Sequence, residues 1–248
     1  MDENKVKTIK KYGFIAFIII MIIIVIFLMV RYQVEGEKNV PYEISNIIIQ
    51  GTIDGKSNQT ENVFDIDLSQ NNDIYIYLEK NDNYKKELEI KSVKIEDLEI
   101  VENNKLGDLK VLLPTENEVE AAFVKSEEDY LGKTIKYVGD IENNMKEQKI
   151  SKKGGVVVFR ISNSNIGHYV SNNIEDGAIV EYSKLIKELN INEKDLKFKV
   201  KMDIVIETSN DSKFKTTIEL DLPTEDFGDN GVIQKKIKDC SDYIYKRV

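Results

Sequence analysis

Covalent chemistry in this chain has one thiol and one imidazole to draw on, because the sequence contains a single cysteine, Cys240, and a single histidine, His168. A thiolate can act as a nucleophile and an imidazole can move protons, so these two side chains are the ones to follow. The same counts exclude a good deal. One histidine rules out multi-histidine zinc sites and the HExxH helix, and one cysteine rules out cysteine clusters and an intramolecular disulfide. No GxSxG elbow, Walker loop or GxGxxG run is present.

The His168, Cys240 and Arg247 set resembles that of the sortases, membrane-anchored β-rich transpeptidases in which a histidine, a cysteine and a following arginine cooperate. The resemblance implies a cysteine transpeptidase in which the Cys240 thiolate attacks a carbonyl carbon, the His168 imidazole moves protons and the Arg247 guanidinium steadies the oxyanion. The sequence departs from that family around the nucleophile, which sits there at the end of a strand in a Thr-Leu-x-Thr-Cys setting. Here Ile237-Lys238-Asp239-Cys240-Ser241 has helical spacing, and Cys240 reads more simply as a small buried apolar residue. His168, within SNSNIGHYV, reads as a loop histidine bonded to backbone or water.

Oxygen ligands for calcium are available at Asp65, Asp67 and Asp73, and again at Asp226, Asp229 and Asn230, but neither set has EF-hand spacing. Acids on the solvent face of strands and turns account for both. Forty-two acids beyond the N-terminal tail make a chance carboxylate pair uninformative. With no tryptophan and 8% aromatics, a sugar platform would rest on Tyr75, Tyr77 and Tyr84, which read as half-buried strand tyrosines. The expectation is therefore no catalytic residue, no cofactor and no metal site.

The elements that must position these groups begin with an apolar run, Gly13 to Val30, GFIAFIIIMIIIVIFLMV, eighteen residues without a charge. At ~1.5 Å per residue it spans about 27 Å, close to a hydrocarbon core of about 30 Å. A helix apolar on every face has nothing soluble to bury all of it against, so it reads as a transmembrane helix. Val30-Arg31-Tyr32-Gln33-Val34 offers no small-residue cleavage site, so the segment is expected to stay. No cysteine follows it for lipidation, and Ile18 stands where a type IV pilin carries glutamate. Lys5, Lys7, Lys10 and Lys11 precede it, against Arg31 and Lys38 after it, which predicts a cytoplasmic tail (1–12) and an extracytoplasmic C-terminal domain.

A linker, residues 31–42, then leads to one domain, residues 43–248. The net charge of −9 becomes −11 for residues 31–248 once the tail's two acids and four lysines are set aside, which argues against nucleic acid as a partner. Leu196, Phe198, Val200, Met202, Ile204 and Ile206 alternate with polar residues, and after Ser209-Asn210-Asp211-Ser212 the alternation resumes at Phe214, Thr216, Ile218, Leu220 and Leu222. This predicts a long antiparallel hairpin. Shorter strands are predicted at Ile47 and Ile49, Phe64 to Leu68, Ile74 to Leu78, Leu88 and Ile90, Val93 and Ile95, and Val156 and Val158. Gly51, Gly55, Asn71-Asn72, Asn81 to Asn83, Asn103-Asn104 and Gly154-Gly155 are predicted breaks. Two short amphipathic helices are expected, one on Ile179, Tyr182, Ile186 and Leu189 after a cap at Asp176, the other on Ile233, Ile237, Cys240 and Ile244 after Asp229. The charged stretch 116–149 is expected to be a long excursion with some helix and the least order. The fold class is mainly β, an antiparallel β-sandwich preceded by one transmembrane helix.

The segments YQVEGEKNVPYEISNIIIQGTIDG and NNDIYIYLEK, with the apolar run before them, resemble a group of uncharacterised single-pass membrane proteins of low-GC Gram-positive bacteria. The resemblance covers about the first third of the chain and implies an anchored outer domain, without an activity. Sequence alone thus points to a membrane-tethered protein-binding or structural envelope component, its partner another membrane or cell-envelope protein.

Overall fold

The computed structural model describes residues 3–37, 39–57, 63–102, 106–114, 128–139, 148–171 and 180–248. A single helix, α1 (Glu3–Glu35), carries the apolar run and leads into a two-sheet β-sandwich. The first sheet has strand order β10-β1-β2-β7-β4, formed by Val232–Ile237, Tyr42–Ser57, Phe64–Lys80, Gly155–Ser171 and Asp108–Leu112. The second has order β11-β9-β8-β3-β5-β6, formed by Lys246–Arg247, Lys213–Asp221, Lys199–Thr208, Ile90–Glu102, Ile135–Gly139 and Gln148–Ile150. Every pairing is antiparallel except β5 with β6. Two short helices, α2 (Tyr182–Glu188) and α3 (Phe227–Asn230), and a 3-10 turn at Glu193–Leu196 complete the fold.

The strand period fixes which face is inward. Every even-numbered residue from Ile66 to Leu78 on β2 is buried, and Ile47, Ile49 and Ile53 of β1 face the same way. Near α1, the inward Ile74, Ile76, Val157 and Phe159 of the first sheet meet Val93, Ile204, Ile206 and Phe214 of the second. Each such fully buried side chain contributes about 2 kcal/mol. The three central strands of the first sheet outrun the second sheet, and their far ends are covered by helices instead. Ile53, Ile66, Leu68 and Ile166 pack there against Leu185, Ile186, Leu196 and Phe227. One long sheet therefore carries two cores, a sandwich core at the α1 end and a helix-covered core at the far end.

The β8–β9 hairpin forms as predicted, with its turn at residues 209–212 and Asp211 in the left-handed region. Several other expectations are corrected. Gly51, Gly55 and Asn71-Asn72 do not break strands: each lies inside β1 or β2, so the two predicted strands around Phe64 to Leu68 and Ile74 to Leu78 are one. Leu88 stays outside β3, which begins at Ile90 and also absorbs Val93 and Ile95. On β7 the inward residues are Val157, Phe159 and Ile161, so Val156 and Val158 take the opposite face from the one read in sequence. The second predicted helix, from Ile233 to Ile244, is instead strand β10 followed by turns, because Ile233 and Ile237 alternate onto the inward face, against the two cores, while the backbone pairs with β1. The first predicted helix corresponds to α2, although Asp176 and Ile179 lie outside the described residues, as do Asn103-Asn104 and 116–127 and 140–147 of the excursion. The excursion's described part contributes β5 and β6 rather than helix.

The linker is also shorter than expected. Helix α1 continues through Arg31 to Glu35, and Val40 and Tyr42 are already buried in the sandwich core. Five residues of the predicted 31–42 linker are thus helical.

Candidate functional site

The junction between α1 and the sandwich is a clasp made by the last residues of the chain. The backbone N–H of Arg247 donates to the Tyr32 hydroxyl at 2.8 Å, Lys246 Nζ donates to Gln33 Oε1 at 2.8 Å, and the N–H of Glu37 donates to the carbonyl of Tyr245 at 2.6 Å. Gly36 ends the helix in the left-handed conformation, φ 68°, and its missing side chain is required twice. A Cβ there would stand 2.4 Å from both the Tyr245 carbonyl oxygen and Ile244 Cγ2. Tyr245 in turn reaches inward, its hydroxyl accepting the N–H of Ile44 at 2.8 Å, and burial pushes its phenol pKa well above the usual range. Residues 244–247 therefore tie the end of α1 to β1, and through the pairing of β11 with Lys215 and Phe214 to the second sheet.

A groove of about 650 Å³ opens beside this clasp, lined by Glu37, Val40, Ile44, Cys240 and Tyr243 among others. Cys240 packs against the sandwich core from a turn, not a helix, with its thiol facing the Ile237 carbonyl at 4.0 Å. Burial, then the neighbouring Asp239 carboxylate, push its pKa up from 9.0, so at neutral pH the sulfur is a thiol rather than a nucleophilic thiolate. Arg247 lies over the Phe214 ring, 5.3 Å from its centroid, with Glu37 at 3.8 Å. His168 is elsewhere. It is a strand residue of β7, not a loop residue, and it pairs with Asp67 on β2, whereas Ile44 beside Cys240 pairs with Leu78. Eleven residues of strand separate those positions, roughly 36 Å. The structure does not bring His168, Cys240 and Arg247 together, and the thiol's environment favours the unreactive form.

His168 instead forms a cluster with two of the three aspartates singled out in sequence. Its Nδ1 lies 2.9 Å from Asp67 Oδ1 and 3.6 Å from Asp65 Oδ1. Asp65 and Asp67 are two apart on β2 and so share a face, and His168 is the cross-strand neighbour of Asp67. One nitrogen and two carboxylate oxygens within 4.8 Å of one another are, among the described residues, the group that could hold a metal ion. All three side chains are solvent-accessible, and the bond between His168 and Asp67 uses the nitrogen a metal would need. The arrangement therefore works first as a hydrogen-bonded pair, and as an ion pair when His168 is protonated. Asp73 is not part of it: it lies six residues along β2, about 20 Å away, bound to Arg160. The second acidic set is also used structurally. Asp226 and Gly228 donate their N–H groups to the Glu193 carboxylate, and Asp229 pairs with Lys187.

The cluster sets a direction for pH dependence. The hydrogen bond to Asp67, aided by the charges of Asp65 and Asp67 against a smaller opposing desolvation, raises the His168 pKa above 6.5. A group whose folded pKa is raised stabilises the fold fully below its unfolded value, and that contribution is lost as pH rises through the folded value. As the only histidine, His168 gives a single imidazole signal by NMR. Its midpoint should lie above 6.5 and return toward that value in Asp67→Asn.

Sequence reading missed one feature altogether. Gln70, Asn72 and Asn163 are fully buried on the inward face between the two cores. Asn163 Nδ2 donates to Gln70 Oε1 at 3.4 Å, while Gln70 Nε2, both polar atoms of the Asn72 amide and Asn163 Oδ1 have no side-chain or backbone partner among the described residues. The run Gln70-Asn71-Asn72 looks like a turn in sequence, and no local signal marks it as a buried polar layer. On the opposite face of β2, Tyr75 and Tyr77 stand half-buried, and Tyr84 follows in the turn after the strand.

Compared with known proteins, the chain matches no protein-family model, no curated protein and no solved structure.

Proposed function

We propose that this chain is a membrane-tethered, extracytoplasmic protein-binding component of the cell envelope, one that presents the far end of its sandwich at a fixed height and orientation. The observation that carries this reading is the clasp. Helix α1 has an uncharged run long and apolar enough to cross a membrane, and it enters the sandwich through three hydrogen bonds and a glycine stop rather than through a flexible linker. A tether built only to retain a domain has no use for such a joint. The sixteen residue steps of β2 from Lys80 to Phe64 span roughly 50 Å, so a rigid joint projects the helix-covered head well clear of the lipid headgroups. The lysines before the apolar run support an outward-facing domain, and the acidic domain favours protein over nucleic acid as partner. The separation of His168 from Cys240 favours binding over sortase-like catalysis.

The test is a photo-crosslinking residue placed in intact cells at Lys56 or Val170, both near the far end of the first sheet. The expected result is one reproducible protein adduct that external protease digests in spheroplasts. No adduct from either position, or adducts shielded from external protease until detergent is added, would overturn the reading.

A further inference from the structure

Tyr12 and Tyr32 bracket the apolar run and are twenty residues apart on a continuous helix, about 30 Å, the thickness of a hydrocarbon core. Tyrosines at that spacing belong at the two interfaces of the bilayer. Tyr32 is also the residue whose hydroxyl accepts the Arg247 N–H, so the last residues of the chain stand at the height of the outer interface. Gln33, bound to Lys246, is one step further along the helix, and Gly36, packed on Ile244 and Tyr245, only about 6 Å beyond Tyr32. The headgroup layer on each side is about 5–7 Å deep. The clasp therefore has no room to stand above it.

The side chains around the clasp suit that depth. Ile244 and Val248, which line one groove with Gln33, are 44% and 64% exposed, and Val34 on the helix is 65% exposed. Of the nearby acids, Glu35 is paired with Arg31 at 3.0 Å and Glu37 with Arg247 at 3.8 Å, and Asp242 lies in the groove that Lys246 also lines. Lys246 lines the same groove as Ile244 and Val248, and Arg31 on the helix and Arg247 on β11 are both more than half exposed. Apolar side chains beside cations complement the acyl boundary and the phosphates of a phospholipid layer.

We propose that the base of the sandwich is seated in the phospholipid headgroup layer, with Ile244 and Val248 against the acyl boundary and Arg31, Lys246 and Arg247 at the level of the phosphates. The proposal rests on the reading of α1 as a membrane-spanning helix. It adds a second lipid contact, made by the opposite end of the chain, that fixes the tilt of the domain as well as its height. The C-terminal residues thus act as an interfacial foot.

The test uses the full chain with Cys240→Ser, labelled with a fluorophore at one introduced cysteine: Met21→Cys in the helix, Ile244→Cys or Val248→Cys in the foot, or Val170→Cys at the far end. Each protein is placed in phosphatidylcholine–phosphatidylglycerol nanodiscs whose lipids carry either acyl-chain bromine or a headgroup nitroxide. The expected result is quenching of Met21→Cys by bromine, and loss of about half the emission of Ile244→Cys and Val248→Cys to the nitroxide, with Val170→Cys unchanged. If Met21→Cys is quenched while both foot positions behave like Val170→Cys, the seat is wrong and the tether stands. If Met21→Cys is not quenched by bromine, the spanning helix is wrong and the seat falls with it.

Discussion

Replacing Asp73 with alanine is expected to cost the fold about 3 to 5 kcal/mol, the loss that follows when one partner of a largely buried ion pair is removed and the other stays behind. Arg160 Nε and Nη2 donate to the two Asp73 oxygens at 2.6 and 2.9 Å, a bidentate pair whose side chains are 19% and 11% exposed. The two residues are direct cross-strand partners at the middle of β2 and β7, the central strands of the first sheet. The alanine variant would leave the guanidinium in place without that carboxylate. Its burial is shallow, on the outward face beside Tyr75, which sets the estimate toward the lower end of the range. The full chain contains no tryptophan, so urea unfolding in detergent micelles is best followed by circular dichroism. Asp73→Leu combined with Arg160→Met should recover most of the loss, because the pair is then replaced by apolar groups of similar size. A loss in Asp73→Ala no larger than about 0.5 kcal/mol would mean the pair behaves as a surface salt bridge.

This pair lies outside what patterning alone can find. The β8–β9 hairpin was legible because both strands are half-buried, so inward Val200, Met202, Ile204 and Ile206 alternate with outward polar residues, and the turn residues lie where the turn is. The helix α1 was legible from length and charge, though not its extension to Glu35, since Tyr32 and Gln33 are held by a clasp whose other half is more than two hundred residues away. The edge strand β10 failed for a related reason. Ile233, Ile237, Cys240 and Ile244 recur at helical spacing, and six residues of alternation at Val232–Ile237 are too few to decide the period locally. Pairing with β1 from Ile47 to Thr52 decides it.

The candidate site was legible only in part. Sequence offered Asp65 and Asp67 together with Asp73 as oxygen ligands while reading all three as solvent-face acids, and the partner that joins the first two, His168, comes from β7 by cross-strand register. Asn71-Asn72 was expected to break the strand because asparagines carry turn chemistry, and only the pairing with β1 and β7 shows that Gln70, Asn71 and Asn72 continue β2. Four buried amide atoms without a partner among the described residues oppose the stability of the fold at that point, a local cost that marks the boundary between the two cores. The sheet is continuous there, but its packing is not.

That boundary can be tested from the far side. Phe227→Ala should cost about 3 to 5 kcal/mol, the usual range for removing a fully buried phenylalanine. Phe227 is completely buried in the helix-covered core, and its ring lies over Gly51 of β1, where an added Cβ would stand 2.7 Å from Cζ. The glycine is there because the ring fills the space a side chain would take. Losing the ring removes the link between α3 and β1, leaving Ile53, Ile66, Leu68, Leu185 and Ile186 facing a cavity. Because the amide layer interposes unpartnered polar groups between the cores, the damage should stay on one side of it. Hydrogen exchange should then rise in the far halves of β1, β2 and β7 and in α2, while the β8–β9 hairpin and the clasp at Tyr245 keep their protection. Uniform loss across both cores would show that the sandwich opens as one unit and that the amide layer divides nothing. Selective loss would leave an anchored chain with its head disordered, in which crosslinks from Val170 should disappear while the base keeps its place at the membrane.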